Sequence, residues 1–165
     1  MLTAVNTIST LVLGIGNSLL SDDGVGVHVV QALQHMQQSG EIAGNIALRD
    51  GGTIGLSLLS EFADYPALIA VDAAELGAPP GTVRTFLGVE MDRQLGGTKR
   101  SAHEVALSDL IGAAHLSGTA HDKRALIAIQ PASTEWGLEP TEAVKAAIPL
   151  ACEAALSIIR TWSDA

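Results

Sequence analysis

One stretch near the start of the chain, Leu11–Val30, indicates the expected fold. It begins with an apolar run of strand length, breaks at Gly14 and Gly16, and then presents Asp22 and Asp23 in a polar turn. The apolar residues that follow recur at helical spacing, which predicts an amphipathic helix. A strand, a loop and a helix in this order are the first unit of an α/β domain. Open α/β sheets bind ligands beyond the carboxyl ends of their strands, where this acidic turn is predicted to lie.

The rest of the chain alternates between strand and helix patterns. Apolar runs predict four further strands, at Ile46–Arg49, Ala67–Asp72, Thr82–Leu87 and Ala125–Gln130, with Thr82–Leu87 near an edge of the sheet. Further helices are predicted through Ile54–Phe62, from Ser101 through Ile111, and from about Thr141 to Trp162, whereas Gly88–Ala102 is expected to be a long loop. We therefore predict one α/β domain over residues 1–165, with a twisted, mostly parallel five-stranded sheet between two layers of helices.

Composition narrows the function classes. The chain of 165 residues has a formal net charge of −9, which repels phosphate backbones, so nucleic acid is not an expected partner. The single Cys152 lies in an apolar helical pattern and is expected in the core. No apolar run approaches the ~18 residues of a membrane span, and the start of the chain lacks the basic region of a signal peptide. We expect a cytoplasmic protein that does not contact membranes.

Three polar residues are predicted at loop-facing ends of these elements. Asp23 follows the first strand, Asp72 ends the third, and His103 begins the helix after the fourth. If the strand order contains 2-1-3, Asp23 and Asp72 face each other across the crevice, and His103 closes over them. Two carboxylates and one imidazole suit a divalent transition metal with open positions for a substrate. The helix dipole is expected to keep His103 neutral, which is the form that binds metal.

Each of these residues also has a purely structural interpretation. Either aspartate of the acidic turn can cap the first helix. Asp72 can hydrogen-bond a neighbouring loop, and His103 can be an exposed first-turn residue. Trp136, in the loop Pro131–Pro140, is expected to pack against the protein rather than to recognise a partner.

A nucleotide site at Gly14 and Gly16 is disfavoured. The third glycine of G-x-G-x-x-G would fall at Leu19, and aspartates at the start of a helix compete with a pyrophosphate for the same backbone donors. The sequence also contains neither G-x-x-x-x-G-K-[ST] nor G-x-S-x-G. The residues alone therefore indicate an α/β domain with a metal-binding cleft.

Several short motifs follow one another along nearly the whole chain. They are Gly14-Ile-Gly16-Asn17 with Leu19 and Leu20, Asp22-Asp23-Gly24-Val25-Gly26, Asp50-Gly51-Gly52-Thr53 with Gly55, the apolar strand into Asp72 with its later Pro-Gly turn, His103 ahead of a helix with Leu107, and the Pro131 loop with Leu138 and Pro140. In this order and spacing they resemble the hydrogenase maturation endopeptidases, nickel-dependent proteases that process the large subunit of nickel–iron hydrogenases. The resemblance implies a twisted five-stranded sheet between helices and a monomer.

The resemblance also implies the site and the reaction. The family's metal ligands fall on Asp23, Asp72 and His103, with Asp22 as the competing assignment for the first. The implied activity is removal of a C-terminal extension from the large-subunit precursor after nickel insertion, with nickel supplied by that precursor. The glycines of the turn Asp50–Thr53 allow close backbone approach, so this turn is a hypothetical substrate contact.

Two other functions remain open on the sequence. The chain can be a non-catalytic module that handles nickel or binds the precursor while another enzyme makes the cut. It can also be an α/β protein that binds a small molecule with the Gly14–Gly16 loop.

Overall fold

The computed structural model describes residues 9–43, 45–52, 61, 63–97 and 102–164. Within these residues the secondary-structure elements follow in the order β1 (Thr10–Ile15), a 3-10 helix (Ser21–Gly24), α1 (Val25–Gln38), β2 (Ile46–Gly52), β3 (Ala67–Ala73), β4 (Val83–Leu87), α2 (Val89–Leu95), α3 (Ala102–Ser117), β5 (Lys123–Ile129) and α4 (Glu142–Ser163). The predicted α/β class is confirmed.

The five strands form one sheet in the order β2-β1-β3-β5-β4. β1 pairs in parallel with β2 on one side and with β3 on the other, and β3 pairs in parallel with β5. β4 pairs antiparallel with β5 and lies at the edge of the sheet, as predicted. The neighbouring strands β1 and β3 therefore end at the same edge of the sheet. The segments that follow these two strands diverge from that edge.

Helices cover both faces of the sheet. Because successive side chains of a strand point to opposite faces, Val12 of β1 joins a core cluster with α1 and α4, while Leu11 and Leu13 join a cluster with α2 and α3. Every residue of β1 and β3 is buried, as expected for central parallel strands. Cys152 lies in the first cluster and is buried, which confirms its predicted place in the core.

Close packing at Gly26 fixes the start of α1 on the sheet. A Cβ at this position would clash with the backbone carbonyl oxygens of Val71 and Ile15, so no larger residue fits without moving the helix. This contact seats the first turn of α1 on the ends of β1 and β3. The 3-10 helix that carries Asp22 and Asp23 immediately precedes this seat.

The prediction of a long loop over Gly88–Ala102 is wrong for the first half of this segment. Residues Val89–Leu95 form α2, whose Met91 and Leu95 are buried one helical turn apart. The short segment lies between glycines, which hid the helical spacing. Ser101 and the residues that were predicted as a helix through Ile54, Leu58, Leu59 and Phe62 lie outside the described residues.

None of the helices in the described ranges is both long and apolar enough to span a bilayer.

Candidate active site

Asp23, Asp72 and His103 come together at the carboxyl ends of β1 and β3. Nε2 of His103 lies 3.8 Å from Oδ2 of Asp23, and Nδ1 of the same ring lies 3.8 Å from Oδ1 of Asp72. Asp23 belongs to the 3-10 helix after β1, Asp72 lies near the end of β3, and His103 lies in the first turn of α3. The imidazole therefore lies between two carboxylates that neighbouring parallel strands bring to one edge of the sheet.

The Asp23 carboxylate faces the site and does not cap the helix. Its Oδ2 accepts a hydrogen bond from the backbone N–H of Asn17 at 3.0 Å, and the same oxygen faces His103. The N-cap position of α1 is Gly24, and no side chain caps it. The loop after β1 thus holds Asp23 toward His103.

Asp22, the neighbouring acid, has a different environment. It is completely buried. Its carboxylate accepts hydrogen bonds from the backbone N–H groups of Ala132, Ser133 and Thr141 and from the hydroxyl of Thr141, at 2.7–3.1 Å. Burial opposes ionisation, but these hydrogen bonds outweigh it and hold the pKa of Asp22 below its ordinary value. Asp22 therefore anchors the loop before α4, and both of its carboxylate oxygens already accept hydrogen bonds.

Asp72 is a buried carboxylate with an unusual environment. Its side chain is 2% exposed, and Oδ1 accepts no hydrogen bond within the part of the chain that the structure describes. Burial raises the pKa of Asp72 to about 7; His103 opposes this shift, and the charges of Asp23 and Glu104 add to it. Because a buried oxygen without a donor is costly, this position favours a cation or a proton donor as its partner.

The acidic surroundings also act on His103. Its contact with the Asp72 carboxyl raises the pKa of His103, burial opposes the shift, and the charges of Asp72, Asp23 and Glu104 reinforce it. The acidic neighbours therefore shift the pKa of His103 in the opposite direction to the one expected from the helix dipole. A cation bound here would displace the proton, since metal ligands must be deprotonated.

The donor set fits a divalent transition metal in its chemistry, with two carboxylate oxygens and an imidazole nitrogen. The side chains, however, are not yet arranged around one point. The two ring nitrogens of His103 face different carboxylates, and among the described residues no three His, Cys, Asp or Glu side chains have metal-site geometry. One imidazole binds an ion through a single ring nitrogen at about 2 Å, so the three side chains can share one ion only if His103 turns.

The end of β2 borders the same loop. The N–H of Gly16 donates to the carbonyl oxygen of Gly52 at 3.0 Å, and the N–H of Gly52 donates to Oδ1 of Asp50 at 2.8 Å. Asp50 is exposed, and Gly51 and Gly52 are half-buried. These three residues thus lie next to the loop that carries Asp23, whereas Thr53 lies outside the described residues.

Two features of this region were not anticipated. Trp136 is 81% exposed, so the expectation that it packs against the protein is wrong. The hydrogen bonds around Gly137 hold the backbone of its loop against Leu19 and Ser21 and leave the indole outside. Glu104 is 4% exposed and adds negative charge beside Asp72 and His103. Its place directly after His103 was the only signal for this.

Comparison with known proteins gives a consistent picture. Residues 27–158 match the hydrogenase maturation protease family. Hydrogenase expression/formation protein HupD of Rhizobium leguminosarum bv. viciae is 36% identical over 156 residues, which cover 94% of this chain and 76% of the relative. Hydrogenase 2 maturation protease of Escherichia coli (strain K12) is 34% identical over 151 residues, which cover 91% of this chain and 90% of the relative.

Solved structures share the same architecture. The hydrogenase maturating endopeptidase HybD from Escherichia coli superposes with a TM-score of 0.83 at 32% identity, over 93% of each chain. The [NiFe] hydrogenase maturation protease HybD from Thermococcus kodakarensis superposes with a TM-score of 0.77 at 25% identity, over 92% of this chain and 99% of its own.

Proposed function

The chain belongs to the hydrogenase maturation protease family, and we propose that it is an endopeptidase that removes the C-terminal extension of a nickel–iron hydrogenase large-subunit precursor after nickel insertion. The observation that best supports this proposal is the position of the His103 imidazole between the carboxylates of Asp23 and Asp72. We further propose that the protein acts in the cytoplasm as a monomer, as the resemblance implies.

In this proposal nickel is part of the substrate, bound by the precursor before the two proteins meet. Asp23, Asp72 and His103 offer two oxygens and one nitrogen, and Oδ1 of Asp72, which accepts no hydrogen bond from the described residues, gains a cation. Nickel held at this point would polarise the scissile carbonyl or activate a water molecule beside it. The chain's own residues place the precursor, hold the ion's position and accept or release a proton.

The electrostatics of the site supply a reason for nickel dependence. Without a cation, the raised pKa values of Asp72 and His103 favour a proton shared within the acidic cluster. The arrival of a cation releases that proton and frees His103 from its position between the carboxylates. A precursor that lacks nickel cannot drive this rearrangement. The site is therefore proposed to distinguish loaded from unloaded precursor before the peptide bond is cut.

Substrate contact at the end of β2 is a further part of the proposal. Asp50, Gly51, Gly52 and Thr53 would lie along the segment that precedes the cut. The glycines leave the backbone accessible, and the hydrogen bond from Gly16 to Gly52 keeps this turn beside the loop that carries Asp23.

The proposal is tested by the intact mass of the purified precursor after incubation with this protein. We expect the nickel-loaded precursor to lose the mass of a short C-terminal segment and the nickel-free precursor to keep its full mass. A loaded precursor that binds but keeps its mass would instead favour the non-catalytic module. Equal shortening of both precursors would contradict nickel dependence.

A further inference from the structure

We propose that an exposed apolar surface beside the site docks the large-subunit precursor and binds an apolar region of it that is flanked by basic side chains. This surface, the Trp136 surface, consists of Leu19, Trp136 and Leu138. The inference rests on the proposed function, because it concerns the substrate of that same site.

The three side chains are exposed far beyond what packing requires. Leu19 is 48% exposed, Trp136 81% and Leu138 71%. An exposed cluster of large apolar side chains is typical of a protein interaction site, and tryptophan is prominent among residues that dominate binding energy. The fold gains nothing from exposing these side chains, so their position favours a binding role.

Backbone hydrogen bonds bring the two loops that carry this surface together. The N–H of Ser21 donates to the carbonyl oxygen of Gly137, and the N–H of Gly137 donates to that of Leu19, both at 2.9 Å. The hydroxyl of Ser21 donates to the carbonyl oxygen of Glu135 at 2.8 Å. With the loop also anchored on Asp22, the Trp136 surface is held in place before any partner arrives, which lowers the entropic cost of binding.

One loop links the Trp136 surface to the candidate active site. Leu19 belongs to the same loop as Asp23, and the N–H of Asn17 in that loop donates to the Asp23 carboxylate that faces His103. The N–H of Leu20 also donates to the carbonyl oxygen of Asn17, at 3.0 Å. A protein bound to the Trp136 surface therefore lies against the loop that positions Asp23, as a precursor that delivers its C-terminal segment must.

Charge identifies the partner more closely. The two segments that form this region, residues 16–24 and 131–141, contain four carboxylates and no lysine or arginine. Lys145 pairs with Glu139 at 3.0 Å, and the buried Asp22 is already hydrogen-bonded, so Glu135 and Asp23 are the carboxylates left to face a partner. A basic flank on the partner would complement this field and speed its association. A second copy of this chain fits poorly, because a symmetric contact would bring the same acids together.

The test compares Trp136→Ala/Leu138→Ala with Leu116→Ala in processing of nickel-loaded precursor. Leu116 is a matched control, because it is 92% exposed and lies at the far end of α3 from His103, about 20 Å along the helix. We expect the double variant to raise KM at least tenfold with kcat within twofold of wild type, and Leu116→Ala to change neither by more than twofold. Thermal melts of all three proteins check that each is folded.

The outcomes separate docking from catalysis. If wild-type protein shortens the precursor and the double variant keeps its KM, the docking proposal is overturned and the proposed function stands. If wild-type protein binds the precursor without shortening it, and the double variant binds at least tenfold more weakly, docking stands and the proposed function fails. Sedimentation that shows a wild-type dimer dissolved by the double variant would assign the Trp136 surface to a second copy and overturn the proposal.

Discussion

Asp22 and Thr141, 119 positions apart in the chain, are joined by two hydrogen bonds. The backbone N–H of Thr141 donates to Oδ1 of Asp22 at 2.7 Å, and its hydroxyl donates to Oδ2 at 2.8 Å. The adjacent Asp23 faces His103. Two neighbouring acids thus have separate roles, since one joins the loops at the carboxyl edge of the sheet and the other faces the candidate active site.

This relationship predicts that Asp22→Asn lowers the free energy of unfolding by about 2–4 kcal/mol, because an amide has one acceptor oxygen for four donors. Urea unfolding at neutral pH measures the change. Asp109→Asn, an exposed change on α3, serves as the control and should stay within about 0.5 kcal/mol of wild type. Equal losses in the two variants would rule out the anchoring role of Asp22.

The environment of Asp72 predicts that the stability of the metal-free protein depends on pH. Its pKa rises from 3.8 when unfolded to about 7 when folded, so the folded state binds more protons between these values and stability falls as pH rises through them. The raised pKa of His103 acts in the same direction, because its stabilising charge is lost as pH rises. Asp72→Asn should therefore weaken the dependence of the free energy of unfolding on pH. Above pH 7 its free energy of unfolding should exceed that of wild type by up to about 4 kcal/mol.

Free energies of unfolding measured from pH 4 to 8 test this, with Asp109→Asn expected to keep the wild-type profile. Parallel profiles for wild type and Asp72→Asn would show that the buried carboxyl does not titrate as described.

Two glycines in helices should respond oppositely to alanine. Gly26→Ala should destabilise the protein by about 3 kcal/mol, because the added Cβ meets the carbonyl oxygens of Val71 and Ile15. Gly112→Ala in α3 should stabilise it by about 0.5–1 kcal/mol, because nothing lies within 4 Å of the added Cβ and alanine favours the helix. Melting temperatures measure both, and a neutral Gly26→Ala would contradict the close seat of α1 on the sheet.

Cys152 should be inert in the folded protein. It is 5% exposed, and burial raises the pKa of its thiol from 9.0 to about 11, which leaves about a hundredfold less thiolate at neutral pH. Ellman's reagent should react slowly with native protein and promptly in denaturant, and Cys152→Ala should process precursor at the wild-type rate. A processing rate that depends on this thiol would contradict attack by a water molecule.

Residues inside regular elements were the most predictable. The continuous apolar runs of β1 and β3 identified central parallel strands. The acids at the ends of these strands could therefore be placed at one edge of the sheet. The helix α2 was missed, because seven residues between glycines are too few to show a period, although Met91 and Leu95 were one turn apart.

The environment of the site was less predictable, because it depends on contacts between distant segments. The partners of Asp22 are backbone groups from residues 132–141, which no side-chain pattern reveals. The same hydrogen-bonded loop turns Trp136 outward, against the usual preference for burial. The family resemblance placed the first ligand on Asp23, with Asp22 as the competing assignment, and the hydrogen bonds of each carboxylate give the physical reason for the difference.

The most direct test of the account measures how fast His103→Ala shortens nickel-loaded precursor, beside His115→Ala. Both substitutions remove an imidazole from α3, but His115 is exposed near the end of the helix that lies away from Asp23 and Asp72. The account predicts that His103→Ala, still folded, loses at least about a hundredfold in rate while His115→Ala retains the wild-type rate. Processing by His103→Ala at the wild-type rate would contradict it.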